Sequence, residues 1–142
     1  MTGAASKRWP AKPASCAARP VAAVPADGLG HLRVTLSETA YIGPGRADLL
    51  ELIGQTGSIA AAGKAMGMSY KRAWGLVQAL NSGFGRPLVE SSRGGAAQGG
   101  AHLTQAGQLV VAHYRAMQDK ARQAMADDVV ALRRYFDMSD QK

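Results

Sequence analysis

Between Gly57 and Leu80 the chain reads GSIAAAGKAMGMSYKRAWGLVQAL, and the apolar residues of its second half, Ala73, Val77 and Leu80 with Leu76, recur at helical intervals. That period marks one face of an α-helix packed on a core. Ser58 and Ser69 each precede a helix-competent run, where a hydroxyl can accept from an unpaired N–H of the first turn. Gly67, after Met66, stands where a left-handed residue ends the first helix and turns the chain into the second. The pattern predicts a helix-turn-helix.

The flanking patterns build a small domain around it. Upstream, HLRVTLSETAYIG predicts a short strand or hairpin, and Leu49, Leu50, Leu52 and Ile53 predict a packing helix of about ten residues ending near Gly54 or Gly57. Asp48 and Glu51 are expected to be solvated residues near the positive end of that helix. Downstream, Asn81, Ser82, Gly83 and Gly85 are expected to end the second helix of the motif, with Phe84 left as a core plug. Two extended runs, Pro87 to Ser91 and Gly100 to Thr104, flank SRGGAAQGG and predict a β-hairpin wing.

From Thr104, the expected N-cap, one long helix follows, with Ala106, Leu109, Val110, Tyr114, Met117, Ala121, Ala124 and Met125 on a broad side. Beyond Asp127 and Asp128 it either continues or restarts as a second helix. The stripe carries more apolar surface than the small domain can cover, which favours a partner helix from a second copy. The expected fold is therefore mainly α with a small β component: a winged helix-turn-helix over residues 31–103, then a long dimerisation helix over 104–136. Residues 1–30 and 137–142 are read as tails.

The second helix of the motif also has a polar side. Tyr70, Lys71, Trp74 and Gln78 lie opposite the core face, with Arg72 beside them. A lysine can reach guanine or phosphate, a glutamine can pair with adenine, and a ring can touch a thymine methyl. Aromatic residues at this spacing pack inside a protein about as often, so the helix alone leaves both readings open. Candidate DNA contacts are Ser58, Ser69, Tyr70, Lys71, Arg72, Trp74 and Gln78, with Arg93 and Gln98 of the wing placed to meet the sugar-phosphate backbone. The glycine loop beside Ser91, Ser92 and Arg93 lacks the GxxxxGK[ST] spacing of a nucleotide loop.

Charge adds little. The 142 residues carry a net +7, but residues 1–33 hold Lys7, Arg8, Lys12, Arg19 and Arg33 against Asp27, so most of the excess lies in the leader. A basic balance favours nucleic acid, though the folded part is only mildly basic. The leader is rich in Ala and Pro and reads as a disordered arm with loose attraction to DNA. Its prolines interrupt any secretory signal and no stretch suits a membrane span, so no membrane partner and a cytoplasmic location are expected. Cys16 has no partner for a disulfide or thiolate site. His31, His102 and His113 are scattered without metal-ligand spacing, and no nucleophile elbow occurs. No enzyme, catalytic residue, cofactor or metal site is expected.

Four signals fall in order: Gly57-Ser58-Ile59; Ser69, Tyr70, Lys71, Ala73 and Trp74; the wing glycines Gly94, Gly95, Gly99 and Gly100; and Leu103, Thr104 and Gly107. With them, residues from about 32 to 124 resemble the amino-terminal DNA-binding domain of the ModE-type molybdate-responsive regulators, itself similar to the winged helix-turn-helix of LysR-type regulators. The resemblance implies a transcription regulator that binds an inverted-repeat operator as a homodimer, with the helix beginning at Ser69 in the major groove. In that family molybdate is held by carboxy-terminal β-barrel domains. The residues read here end at Lys142, so no molybdate ligand is assigned and any small-molecule effector stays unknown. The competing function is an architectural or protein-interaction winged helix without sequence readout.

Overall fold

The computed structural model describes residues 25–92 and 100–136. Most of the leader, Cys16, the wing-loop residues 93–99 and the last six residues lie outside them, so the readings of Arg93, Gln98 and both tails do too. The chain opens on a two-stranded antiparallel hairpin, β1 (Val34–Thr35) and β2 (Tyr41–Ile42), with Val34 opposite Ile42. Its turn is closed by the Leu36 N–H donating to the Ala40 carbonyl and by Ser37 Oγ accepting from the Thr39 and Ala40 N–H groups. A serine that satisfies two turn amides explains why so short a ribbon holds.

Helix α1 (Pro44–Thr56) is 13 residues long, because Pro44 begins it at the position where a missing N–H costs nothing, and Gly57 ends it in a left-handed conformation at φ 73°. Ala47, Leu49, Leu50 and Ile53 are buried on it. Helices α2 (Ile59–Ala65) and α3 (Tyr70–Phe84) form the expected pair. Ser58 Oγ accepts from the Ala61 N–H at 3.0 Å and Ser69 Oγ from the Arg72 N–H at 3.1 Å, each satisfying a donor of a first turn. Gly67 makes the turn at φ 76°, while Gly63 lets α2 and α3 cross closely, since a Cβ there would stand 2.9 Å from that of Ala73.

Two expectations need correction after the motif. Asn81, Ser82 and Gly83 do not end α3; they lie inside it, and the left-handed Gly85 ends it. Gly83 is a packing glycine, because a Cβ there would collide with the Thr39 carbonyl of the first hairpin. Phe84 is half-buried at the rim, not a core plug. Strands β3 (Val89–Ser92) and β4 (Gly100–Leu103) then form the wing, paired from Val89 opposite Leu103 to Ser92 opposite Gly100. The Asn81 side chain fixes its root: Oδ1 accepts from the Leu88 and Val89 N–H groups and Nδ2 donates to the Val89 carbonyl.

Helix α4 (Gln105–Tyr135) is continuous for 31 residues, straight through Asp127 and Asp128. Thr104 caps it by accepting from the Gly107 N–H, and donates in turn to the Pro87 carbonyl at 2.7 Å. Its buried seam is Gly107, Val111, Tyr114 and Gln118, whereas Leu109, expected on the apolar side, is exposed. Of the expected broad side, Tyr114 is buried, Ala106, Val110, Met117, Ala121 and Met125 are half-buried, and Leu109 and Ala124 are exposed. Nor are Asp48 and Glu51 merely solvated: they lie past the first turn of α1 and grip Arg115 of α4. Arg115 Nε donates to Glu51 Oε2 at 3.0 Å, and its Nη2 donates to Glu51 Oε1 at 2.9 Å and to Asp48 Oδ1 at 2.7 Å. The Arg115 hydrogen bonds hold the Glu51 carboxyl below the usual carboxylate range, against a smaller opposing effect of burial. Beside them the buried Tyr114 hydroxyl donates to the Leu32 carbonyl at 2.7 Å, and desolvation pushes its pKa up.

Candidate nucleic-acid interface

The site is built outward from α3. Ala73, Val77 and Leu80 fix one side of the helix in the core with Leu49, Leu50, Ile53 and Ile42. At about 100° per residue the side left over runs from Tyr70 through Trp74, Gln78 and Lys71 to Arg72. All five are exposed; Tyr70 is 52% and Trp74 39% accessible, so the indole is not sealed inside the protein. Two cations and one amide therefore share a convex helical surface with two amphipathic rings. A B-DNA major groove admits such a helix and offers acceptors and thymine methyls to it.

Ser58 and Ser69 are spent first on capping, and the caps aim the helices. Ser69 is exposed at the start of α3. Ser58 is half-buried and shares a concavity with Tyr70, Ser91, Ser92 and Gly100, where the start of α2 meets the wing. Hydroxyls and the glycine backbone in that notch suit a sugar-phosphate strand. Across the wing His102 Nε2 lies 3.5 Å from Glu90 Oε1 as an exposed cross-strand pair, in keeping with a wing-strand role for this histidine.

Some of the site was not legible in the sequence. Gly75 lies within the exposed sector of α3, and a Cβ there would meet nothing within 4 Å. A mid-helix glycine with open space leaves the main chain bare on the side the motif offers to a ligand; only its lone position in an otherwise strong helical run signals it. Arg33 and Arg46 also converge beside Arg72, three arginines that no short motif connects. Among the described residues no helix is long and apolar enough to cross a membrane, and no group of three or more potential metal ligands occurs.

Comparison with known proteins places the sequence among bacterial regulators. The family model described as bacterial regulatory helix-turn-helix protein, lysR family, matches residues 46–108, which is α1, the motif, the wing and the start of α4. The chain is 46% identical over 93 residues to the molybdenum-pterin-binding protein MopB of Rhodobacter capsulatus, covering 65% of this chain and 34% of that protein. It is 36% identical over 100 residues to the DNA-binding transcriptional dual regulator ModE of Escherichia coli, covering 68% of this chain and 38% of ModE. The chain thus spans little more than a third of the length of these relatives. A chain from a crystal structure of a CbnR_DBD–DNA complex matches with a TM-score of 0.49 at 25% identity, over 63% of this chain and 97% of that one. Residues 46–108 are therefore a helix-turn-helix of the lysR family of bacterial regulatory proteins, in the form that ModE-type regulators carry.

Proposed function

We propose that this chain is the operator-binding part of a transcription regulator, reading duplex DNA with α3 and pairing with a second copy through α4. The observation that carries the reading is the exposed side of α3, where Tyr70, Lys71, Trp74 and Gln78 face outward from a helix anchored rigidly on its other side. In this reading Lys71 and Gln78 hydrogen-bond to base edges, the rings of Tyr70 and Trp74 contact thymine methyls, and Arg72 takes a phosphate. Arg93 and Gln98 contact the backbone from the wing.

The homodimer is supported by the apolar side chains that α4 and its C-cap leave exposed. Leu109 and Leu132 are exposed, and Tyr135 is 81% accessible beside Phe136, its ring 4.8 Å away. Large apolar side chains left exposed on a helix of 31 residues suit burial against another copy, and two-fold pairing presents two reading helices to an inverted repeat. MopB and MopA of Rhodobacter capsulatus are molybdenum-pterin-binding proteins by name, which supports a place for this chain in molybdenum-related gene control.

Selection of bound duplexes from a random pool, run with and without molybdate, tests the proposal. A two-fold motif unaffected by molybdate is expected. Recovery of unrelated sequences bound as well as the pool average would overturn specific reading and favour an architectural role. A motif that changes with molybdate would show that these residues sense the oxyanion themselves.

A further inference from the structure

We propose that the pocket between the first hairpin and the start of α1 is a phosphate seat, occupied by one backbone phosphate of the duplex that α3 reads. The inference rests on the reading of α3 as the groove-facing helix and adds a contact outside that helix. The pocket, of about 230 Å³, is lined among others by His31, Arg33, Gly45, Arg46 and Arg72.

Three features give it that chemistry. First, Tyr41 carries two guanidinium groups at once, with the Arg33 carbon 3.6 Å and the Arg46 carbon 3.8 Å from its ring centroid. Two groups so close to one centroid occupy opposite faces of the ring, which holds both in place before any ligand arrives. Second, these cations have no counter-charge: among the described residues Arg33, Arg46 and Arg72 enter no ion pair, whereas Arg115 and Arg122 do. Arg46 donates only a long Nη1 bond of 3.4 Å to the Tyr41 carbonyl, and its Nε is shut off from solvent with no partner. Gathering like charges around a ring without a carboxylate costs free energy in the unbound protein, and an anion removes that cost. Third, α1 begins at the pocket with Gly43 as an N-cap that supplies no side-chain acceptor. Gly45 is exposed there, and a Cβ on it would meet nothing within 4 Å, so an anion can approach the amides of the first turn.

The position selects a backbone phosphate over a free anion. Arg72 lies at one edge of the exposed side of α3 and lines this pocket, while Tyr70 lies at the other edge and lines the serine notch beside the wing. A helix in the major groove has a phosphate strand on each side of it, about 12 Å apart across the groove. The two concavities flank α3 as those two strands would.

The test pairs a change in the protein with a change in the DNA. Duplexes that carry a neutral methylphosphonate at single positions around a selected site are titrated with the wild-type chain and with Arg33→Gln and Arg46→Gln. For the wild type, one position per half-site is expected to lose about tenfold in affinity, the scale of one charge-assisted hydrogen-bonded contact. Both variants should bind the unmodified duplex correspondingly less well, be indifferent to that one substitution, and show a salt slope shallower by about 0.9 per half-site. Arg46→Lys, which keeps the charge and loses the fork, should fall between them. Thermal unfolding of each variant separates misfolding from lost contact, and the methylphosphonate series on the wild type needs no variant at all. If every methylphosphonate acts alike on wild type and variants, the seat is not used. If instead inorganic phosphate shifts the Gly45 and Arg46 amide resonances saturably while the duplex series shows no coupling, the occupant is a free anion and the duplex assignment is wrong. Absence of any specific duplex binding by the wild type would count against the reading of α3, a result separable from failure of the seat.

Discussion

At the residue scale the exposed side of α3 divides its work. Lys71→Ala or Gln78→Ala should cost about 1–3 kcal/mol of binding to a selected duplex and relax preference at one base position, as loss of a base-edge contact does. Titration against single-base variants of the site checks this. Gly75 sets up an opposite pair of effects. Gly75→Ala should stabilise the fold by about 0.5–1 kcal/mol, because glycine is the poorer helix former and the new methyl meets open space. The same methyl should weaken duplex binding, because it stands between the helix and the groove. Thermal unfolding and duplex titration of one variant read both, and unchanged binding would show that DNA does not approach the backbone there. These residues also mark how far the sequence could be read. Helical period alone separated Ala73, Val77 and Leu80 from Tyr70, Lys71, Trp74 and Gln78, since a two-sided helix writes its sides into its spacing. It could not convey the grouping of Arg33, Arg46 and Arg72, which depends on tertiary placement.

At the scale of elements, contacts between α1 and α4 set where the winged domain sits on the long helix. Arg115 spans the two through Glu51 and Asp48, and also donates Nη1 to Gln118 Oε1 at 2.9 Å. The Glu51 carboxyl is held below its ordinary value by Arg115, so its ion pair favours the folded state above the ordinary carboxylate range, and that contribution is lost as pH falls through the lowered value. Melting temperatures followed downward from pH 6 should therefore drop more steeply for the wild type than for Glu51→Gln once the pH passes below the ordinary carboxylate range. Parallel curves would remove Glu51 from the acid response. These two carboxylates were misread as solvated because their partner lies 64 and 67 positions away, beyond any local pattern. Asn81 was misread for the same kind of reason: asparagine and glycine signal a helix end, but here the amide side chain clips the wing root and tertiary bonds override the local preference. Asn81→Ala should destabilise the fold by about 1–3 kcal/mol, since Leu88 and Val89 N–H groups lose their acceptor. Chemical denaturation measures it.

On the scale of the whole molecule, α4 joins two tasks along its length. Its seam of Gly107, Val111, Tyr114 and Gln118 closes the core of the winged domain, and the apolar side chains exposed towards its end, Val130, Leu132, Tyr135 and Phe136, are those that the proposed pairing would cover. Sequence spacing showed a long helix with an apolar side, but not which of those residues the winged domain itself covers, because that depends on tertiary placement. Leu132→Asp, at an exposed position, should leave the monomer fold intact and shift the chain from dimer to monomer in sedimentation equilibrium. A wild type that stays monomeric at high micromolar concentration would contradict pairing through α4. The helix-turn-helix and the strands of the wing were legible because their caps, turn glycine and strand runs are local signals.

The most direct test of groove reading by α3 is the ratio of affinities for a selected duplex and a scrambled duplex at one fixed salt concentration, measured for the wild type and for Trp74→Ala. Phosphate contacts cancel in that ratio and base readout remains. A ratio of about 10³ or more for the wild type, falling at least several-fold in the variant, is expected. A wild-type ratio near one, or a large ratio that Trp74→Ala leaves untouched, would contradict it.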